Sequence, residues 1–161
     1  MKKKKMVLLD IDYTLFDTKT FKESNLKNYS LYNEVMPVLE NIAKIAQLGI
    51  FSKGKIELQN VKLQKTGIKN FFNGKNIHIF EDKDLNLKDV LEKYRDFEIF
   101  LVDDKLTTLY NAKIFTPSIF TIWVKRGPFA ENQKPLENFS PDATINDFSS
   151  LNRIVSQELE P

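Results

Sequence analysis

The chain has 161 residues, enough for one well-cored domain and too few for two comfortable ones. With 42% hydrophobic and 29% charged residues, it has the make-up of a folded globular protein and not of a disordered one. Its 24 basic residues nearly balance 22 acidic ones for a net charge of +2, and arginine is confined to Arg95, Arg126 and Arg153, so neither an anionic membrane nor nucleic acid is an expected partner.

At the start, the lysines up to Lys5 read as a solvated lead-in to a first strand, Met6–Asp10. Asp10 and Asp12 cut that apolar run short, so it forms no secretion-signal core, and no stretch is long enough to cross a bilayer. Cysteine is absent, which excludes disulfides and thiolate metal sites. A cytoplasmic location is the expectation.

Next comes a helix on which Val35, Val38, Leu39, Ile42 and Ile45 share one face, with Pro37 in its first turn and Gly49 placed as its stop. A strand follows at Leu48–Ser52, then a helix at Ile56–Lys65, assigned by position more than by pattern. A third strand spans Ile77–Phe80, and Leu87, Val90, Leu91 and Tyr94 repeat the helical period. Beyond the strand Glu98–Val102, Leu106, Leu109 and Tyr110 begin another helix. The strand Ile119–Val124 leads to Gly127–Pro141, a proline-bearing surface loop. Ala143–Ile145 is a short strand, and Leu151, Ile154 and Val155 mark the last helix. The strands are continuous apolar runs, as expected when helices cover both faces. The predicted fold is therefore α/β, a Rossmann-like three-layer α/β/α domain on a mainly parallel sheet, with residues 1–161 forming a single domain.

Ligand crevices in such sheets lie beyond the carboxyl ends of the strands. Asp10 and Asp12 fall there, and two acids past a buried run are costly unless something compensates them. Ser52, Lys83, Asp103 and Asp104 close other strands on the same edge. Acids with oxygen-only chemistry suit a hard cation such as Mg²⁺, and Mg²⁺ with a lysine suits a phosphoryl substrate. His78 alternates with apolar neighbours and reads as structural, and Trp123 as a core or rim residue. Lys55 reads as solvated surface. Lys88, five residues past Lys83, competes with it as the lysine of the site.

Asp10-Ile-Asp12-Tyr-Thr14, then Ser52, then Lys83, then Asp103-Asp104 resembles the four ordered motifs of the haloacid dehalogenase-like superfamily. Flanking stretches agree: Leu48-Gly-Ile-Phe-Ser-Lys-Gly54, Leu63 to Phe72, Phe100-Leu-Val-Asp-Asp104, Thr121 to Gly127 and Pro141 to Asp147 are similar to corresponding family segments. Tyr13 stands where glycine is common in the first motif, and Thr107 and Thr108 stand where a further acid often follows the fourth.

The resemblance implies a Mg²⁺-dependent phosphatase that hydrolyses a phosphomonoester, a small phosphorylated metabolite, through an aspartyl-phosphate. Asp10 would be the nucleophile and Asp12 the acid and then the base. Ser52 would hold a phosphoryl oxygen, and Lys83 would offset charge. Thr14 and Lys53 join Ser52 and Lys83 as substrate-binding residues. Asp10, Asp104 and the Asp12 carbonyl would hold the metal, with Asp103 in support. Residues 15–36 allow a minimal flap and no separate cap, so a second copy of the chain could supply a lid. The alternative functions are a phosphatase for a phosphoprotein or nucleic-acid end, and a non-catalytic module that keeps the fold.

Overall fold

The computed structural model describes residues 2–158. Its strands are β1 Lys4–Leu9, β2 Gln47–Lys53, β3 Ile77–Phe80, β4 Phe97–Asp103, β5 Phe120–Val124 and β6 Ala143–Ile145. They form one six-stranded sheet in the order β3-β2-β1-β4-β5-β6. Every pairing is parallel, so the sheet is more uniform than the mixed one the sequence allowed. The helices are α1 Thr18–Glu23, α2 Val35–Ile42, α3 Ile56–Lys65, α4 Leu87–Lys93, α5 Leu106–Phe115, α6 Pro128–Asn132 and α7 Leu151–Ser156.

Side chains alternate across a strand, so β1 feeds two cores. Val7 and Leu9 join Val35, Leu39, Ile42 and Val155 on one face, under α2 and α7. Met6 and Leu8 join Val90, Leu91, Leu109 and Ala112 on the other, under α4 and α5. Each fully buried aliphatic side chain is worth roughly 1.5–3 kcal/mol, which is why uninterrupted apolar strands settle between two helical layers.

The chain runs from β1 outward to β2 and β3, then returns to the other side of β1 with β4. This reversal opens a crevice at the carboxyl ends of β1 and β4. In the register of these strands Leu9 lies opposite Val102, which brings the next residues, Asp10 and Asp103, level with each other.

Several local readings change. The helix before β2 ends at Ile42, and Ile45 is left exposed. Gly49 is no helix stop: it lies inside β2, where a Cβ would come 2.9 Å from the Asn76 carbonyl and 2.8 Å from the Leu8 side chain. The stretch read as loop from Gly127 contains α6, with Pro128 at its first turn. Lys5 is buried, not solvated, because its ammonium donates to the carbonyls of Val155 and Gln157 at 2.5 and 2.7 Å and so caps the end of α7. Residues 15–36 form α1, its flanks and the first two residues of α2. Asp17 caps α1 by accepting from the Thr20 N–H at 3.1 Å, and Phe21 packs edge-on against Phe16 and tilted against Tyr29. Among the described residues, no helix is long and apolar enough to cross a membrane.

Candidate active site

Asp10 emerges from β1 with its N–H donating to the Val102 carbonyl at 3.1 Å, so sheet pairing fixes its backbone. Lys83 follows β3, two strands away. Its ammonium lies over the ring of Phe51 of β2, 5.3 Å from the ring centre, and stands 2.5 Å from Asp103 Oδ2 and 3.4 Å from Asp10 Oδ1. Lys83 is 2% exposed, whereas Lys88 lies on the exposed side of α4, so the structure brings Lys83 and not Lys88 to the carboxylates. Asp103 Oδ1 accepts from the Lys105 N–H at 2.9 Å, which leaves both of its oxygens engaged. Asp104 is buried beside them. Its carbonyl accepts from Trp123 Nε1 at 3.1 Å and Gln133 Nε2 at 2.7 Å.

Burial pushes the Asp10 carboxyl up to about 6; attraction to Lys83 opposes the shift, and repulsion from Asp103 and Asp12 adds to it. Asp104 is raised further, first by burial and then by repulsion from Asp10 and Asp103. Burial by itself would lower the Lys83 pKa, but attraction to Asp10 and Asp103 outweighs it and raises the group above its ordinary value. One ammonium therefore faces three buried carboxylates. Asp10, Asp103 and Asp104 each offer an oxygen, all within 4.8 Å of one another. Such an oxygen-only set with surplus negative charge fits a hard divalent cation such as Mg²⁺, with Asp10 and Asp104 the freer donors.

Asp12 sits on a tight turn in which the N–H groups of Thr14, Leu15 and Phe16 all donate to the Ile11 carbonyl. Tyr13 takes the positive φ of 60° that this turn requires. The Asp12 side chain is held from two sides. Oδ1 accepts from Lys62 Nζ at 2.7 Å and Thr18 Oγ1 at 3.0 Å, and Oδ2 accepts from Gln59 Nε2 at 3.0 Å. Gln59 and Lys62, buried on α3, were missed from sequence. With Leu63 they form a helical stripe whose spacing was visible, but Gln and Lys ordinarily mark a solvated face.

Two other expected residues are placed differently. The turn folds Thr14 inward: it is fully buried, its carbonyl accepts from Arg126, and its hydroxyl has no partner among the described residues. Ser52 is fully buried, and its hydroxyl accepts from Gln59 Nε2 at 2.9 Å. Neither lines the cavity over the carboxylates, whereas Lys53 does. That cavity, of about 410 Å³, has Asp10, Asp12, Asp104 and Lys83 among its lining residues. His78 is remote from it. It is buried against Tyr94 with Nε2 2.6 Å from the phenol, which in turn donates to Asn76 Oδ1 at 3.1 Å.

No protein-family model and no curated protein matches the chain. Solved structures do. A haloacid dehalogenase-like hydrolase from Burkholderia xenovorans LB400 superposes with a TM-score of 0.79 at 18% identity, over 94% of this chain and 96% of that one. The HAD-hydrolase YfnB from Bacillus subtilis, bound to magnesium, gives 0.75 at 13% identity, over 98% of this chain and 100% of that one. An L-2-haloacid dehalogenase from Xanthobacter autotrophicus, with chloropropionic acid covalently bound, gives 0.69 at 12% identity, over 96% and 98% of the two chains. The parallel sheet and its reversal at β1 thus belong to a known architecture: the chain has the fold of the haloacid dehalogenase-like hydrolases.

Proposed function

We propose that the protein is a Mg²⁺-dependent phosphomonoesterase that works through a phosphorylated Asp10. The observation that carries this reading is the crevice itself. Asp10 shares it with Lys83 at 3.4 Å and with Asp103 and Asp104, while Asp12 stands two residues further along. The Asp10 carboxylate attacks phosphorus, and the bond from phosphorus to the ester oxygen breaks. Asp12 gives a proton to the departing oxygen, then takes one from the water that attacks the phosphorylated Asp10. Lys83 offsets negative charge on Asp10 and on the incoming phosphoryl group. Bound between Asp10 and Asp104, Mg²⁺ would supply charge neutralisation of the phosphoryl oxygens. Asp103 keeps Lys83 in place.

The size of the cavity, about 410 Å³, favours a small phosphorylated molecule over a macromolecular end. Residues 15–36 contribute to its lining through α1 without forming a separate domain.

The bound ligand in the Xanthobacter structure raises haloacid dehalogenation as a second hydrolase chemistry on this fold. The acidic cluster favours phosphoryl transfer, because Asp10, Asp103 and Asp104 suit a divalent cation that would offset the charge of a phosphoryl group, a need that haloacid dehalogenation does not have. The test is a panel of phosphorylated metabolites assayed for phosphate release with and without Mg²⁺, beside 2-chloropropionate assayed for chloride release. Phosphate release that requires Mg²⁺ is the expected result. Chloride release with no phosphate release from any member would overturn the proposal.

A further inference from the structure

The mouth of the cavity differs in character from its base. Leu26, Leu58 and Phe129 are exposed by 59%, 42% and 51%, and all line this one cavity. Exposed leucines and phenylalanines are unremarkable when scattered. Gathered round one opening, from α1's flank, α3 and α6, they mark a surface that gains by being covered. Tyr13 adds a further ring to the lining.

The cations at the mouth fall into two sets. Lys83 and Lys62 are committed to carboxylates. Lys22, Lys53 and Lys105 line the same cavity and make no ion pair among the described residues. Two of them lie beside rings, Lys22 at 5.7 Å from the centre of Tyr13 and Lys105 at 4.4 Å from that of Phe129. Apolar surface and positive charge without an ion-pair partner among the described residues therefore share the opening, above the base where the phosphoryl group is expected.

We propose that the substrate is a phosphomonoester whose leaving group is a ring-sized apolar body carrying a second anionic group. This rests on the reading of the site as one for a phosphoryl group. The phosphoryl group enters toward Asp10 and Lys83, the ring lies against Leu58 and Phe129, and the second anion meets the lysines at the mouth. A short polar phosphomonoester would leave the apolar rim in water and the lysines unmatched.

Binding and turnover test the two levels separately. Isothermal titration of the full chain in Mg²⁺ with ethylphosphonate, benzylphosphonate and 4-(phosphonomethyl)benzoate reads the mouth without any reaction. Benzylphosphonate should bind about tenfold more tightly than ethylphosphonate, as expected for covering several more apolar carbons. The benzoate should gain a further roughly three- to tenfold at low ionic strength, and added salt should remove that gain. Leu58→Ala and Phe129→Ala should bring the benzyl and ethyl affinities together. Lys22→Gln and Lys53→Gln should shrink the carboxylate gain and leave the benzyl gain standing. Equal affinities for the three phosphonates would overturn the inference, as would rim variants that leave the ranking intact. Acetyl phosphate, assayed alongside, reads the hydrolase reaction alone. If it is turned over while the phosphonates bind equally, the inference falls and the phosphatase reading survives; ranked binding with turnover of neither acetyl phosphate nor para-nitrophenyl phosphate overturns the phosphatase reading, and with it the claim that the bound molecule is a substrate.

Discussion

Lys62 reaches from α3 to place its ammonium 2.7 Å from Asp12 Oδ1, with the two side chains 6% and 30% exposed. Gln59, one turn earlier on the same helix, binds the other Asp12 oxygen at 3.0 Å and also Ser52 Oγ at 2.9 Å. The helix after β2 thereby fixes the orientation of a carboxylate that belongs to the turn after β1, and it couples the end of one strand to the end of its neighbour.

Lys62 is accordingly a positioning residue. Lys62→Met should lower kcat by up to about 10²-fold, the scale of loss when a reacting group shifts by about an ångström, with a smaller change in KM. Lys62→Arg should recover part of the loss, because a cation is returned within reach of Asp12. Equal losses with Met and Arg would mean that Lys62 acts through packing over Phe16 and Phe21 rather than through Asp12.

The two acids of the first motif should separate by chemistry. Asp10→Asn keeps the shape and removes the nucleophile, so turnover should vanish while the melting curve stays cooperative. Asp12→Asn should cost about 10²–10⁴-fold on an alkyl phosphate, whose leaving oxygen needs a proton, and much less on the first step with para-nitrophenyl phosphate. Single-turnover rates on both substrates make the comparison, and equal losses would remove Asp12 from the role of acid.

Metal binding should be visible in stability as well as in rate. Mg²⁺ should raise Tm in a concentration-dependent way, because it binds the folded cluster and not the unfolded chain, and EDTA should reverse the rise. Asp104→Asn should abolish that response. In EDTA the same variant should be more stable than the parent by about 1 kcal/mol or more, roughly 2–4 °C in Tm, since one buried and repelled carboxylate is gone. Thermal scans of both proteins in EDTA and in Mg²⁺ check both halves.

His78 sets a pH dependence of folding away from the site. Burial, helped by the nearby Lys93 charge, lowers its pKa to about 4 from the ordinary 6.5. A depressed folded pKa means that the unfolded chain takes up the proton first as pH falls. The stability that comes from keeping His78 neutral is thus full above about pH 6.5, declines between 6.5 and 4, and is gone below. His78→Gln retains an N–H donor for Tyr94 and cannot titrate. Between pH 7 and pH 5 it should lose about 1–2 kcal/mol less than the parent in urea melts. Parallel losses would show that His78 is not the titrating group.

Gly127 and Tyr13 should behave as a pair. Gly127 has φ +86°, and a Cβ there would lie 2.5 Å from the Tyr13 ring. Gly127→Ala should destabilise by about 1–3 kcal/mol, the range for backbone strain at such a position. In a Tyr13→Gly background the clash disappears, so the penalty should shrink toward that of the positive φ alone. A double-mutant cycle by chemical denaturation measures the coupling.

The alternation of apolar runs with helical periods determined the architecture directly, because burial on both faces of a parallel sheet demands those runs and nothing else accommodates them. Ile77–Phe80, Ala143–Ile145 and Ile56–Lys65 occur with the limits read from sequence. The acids at the strand ends were legible for the same reason: a carboxylate just past a buried strand is conspicuous, and strand direction assigns it an edge. The tertiary structure decided what depends on neighbours distant in the chain. It chose Lys83 over Lys88, since only Lys83 can cross Phe51 to Asp10 and Asp103. It turned Thr14 inward through three hydrogen bonds to the Ile11 carbonyl, and it buried Lys5 on carbonyls about 150 residues away. It also drew Gln59 and Lys62 out of the class of solvated helix residues, because a buried polar side chain is stable only where a partner awaits it, and that partner, Asp12, lies 47 and 50 residues earlier in the chain.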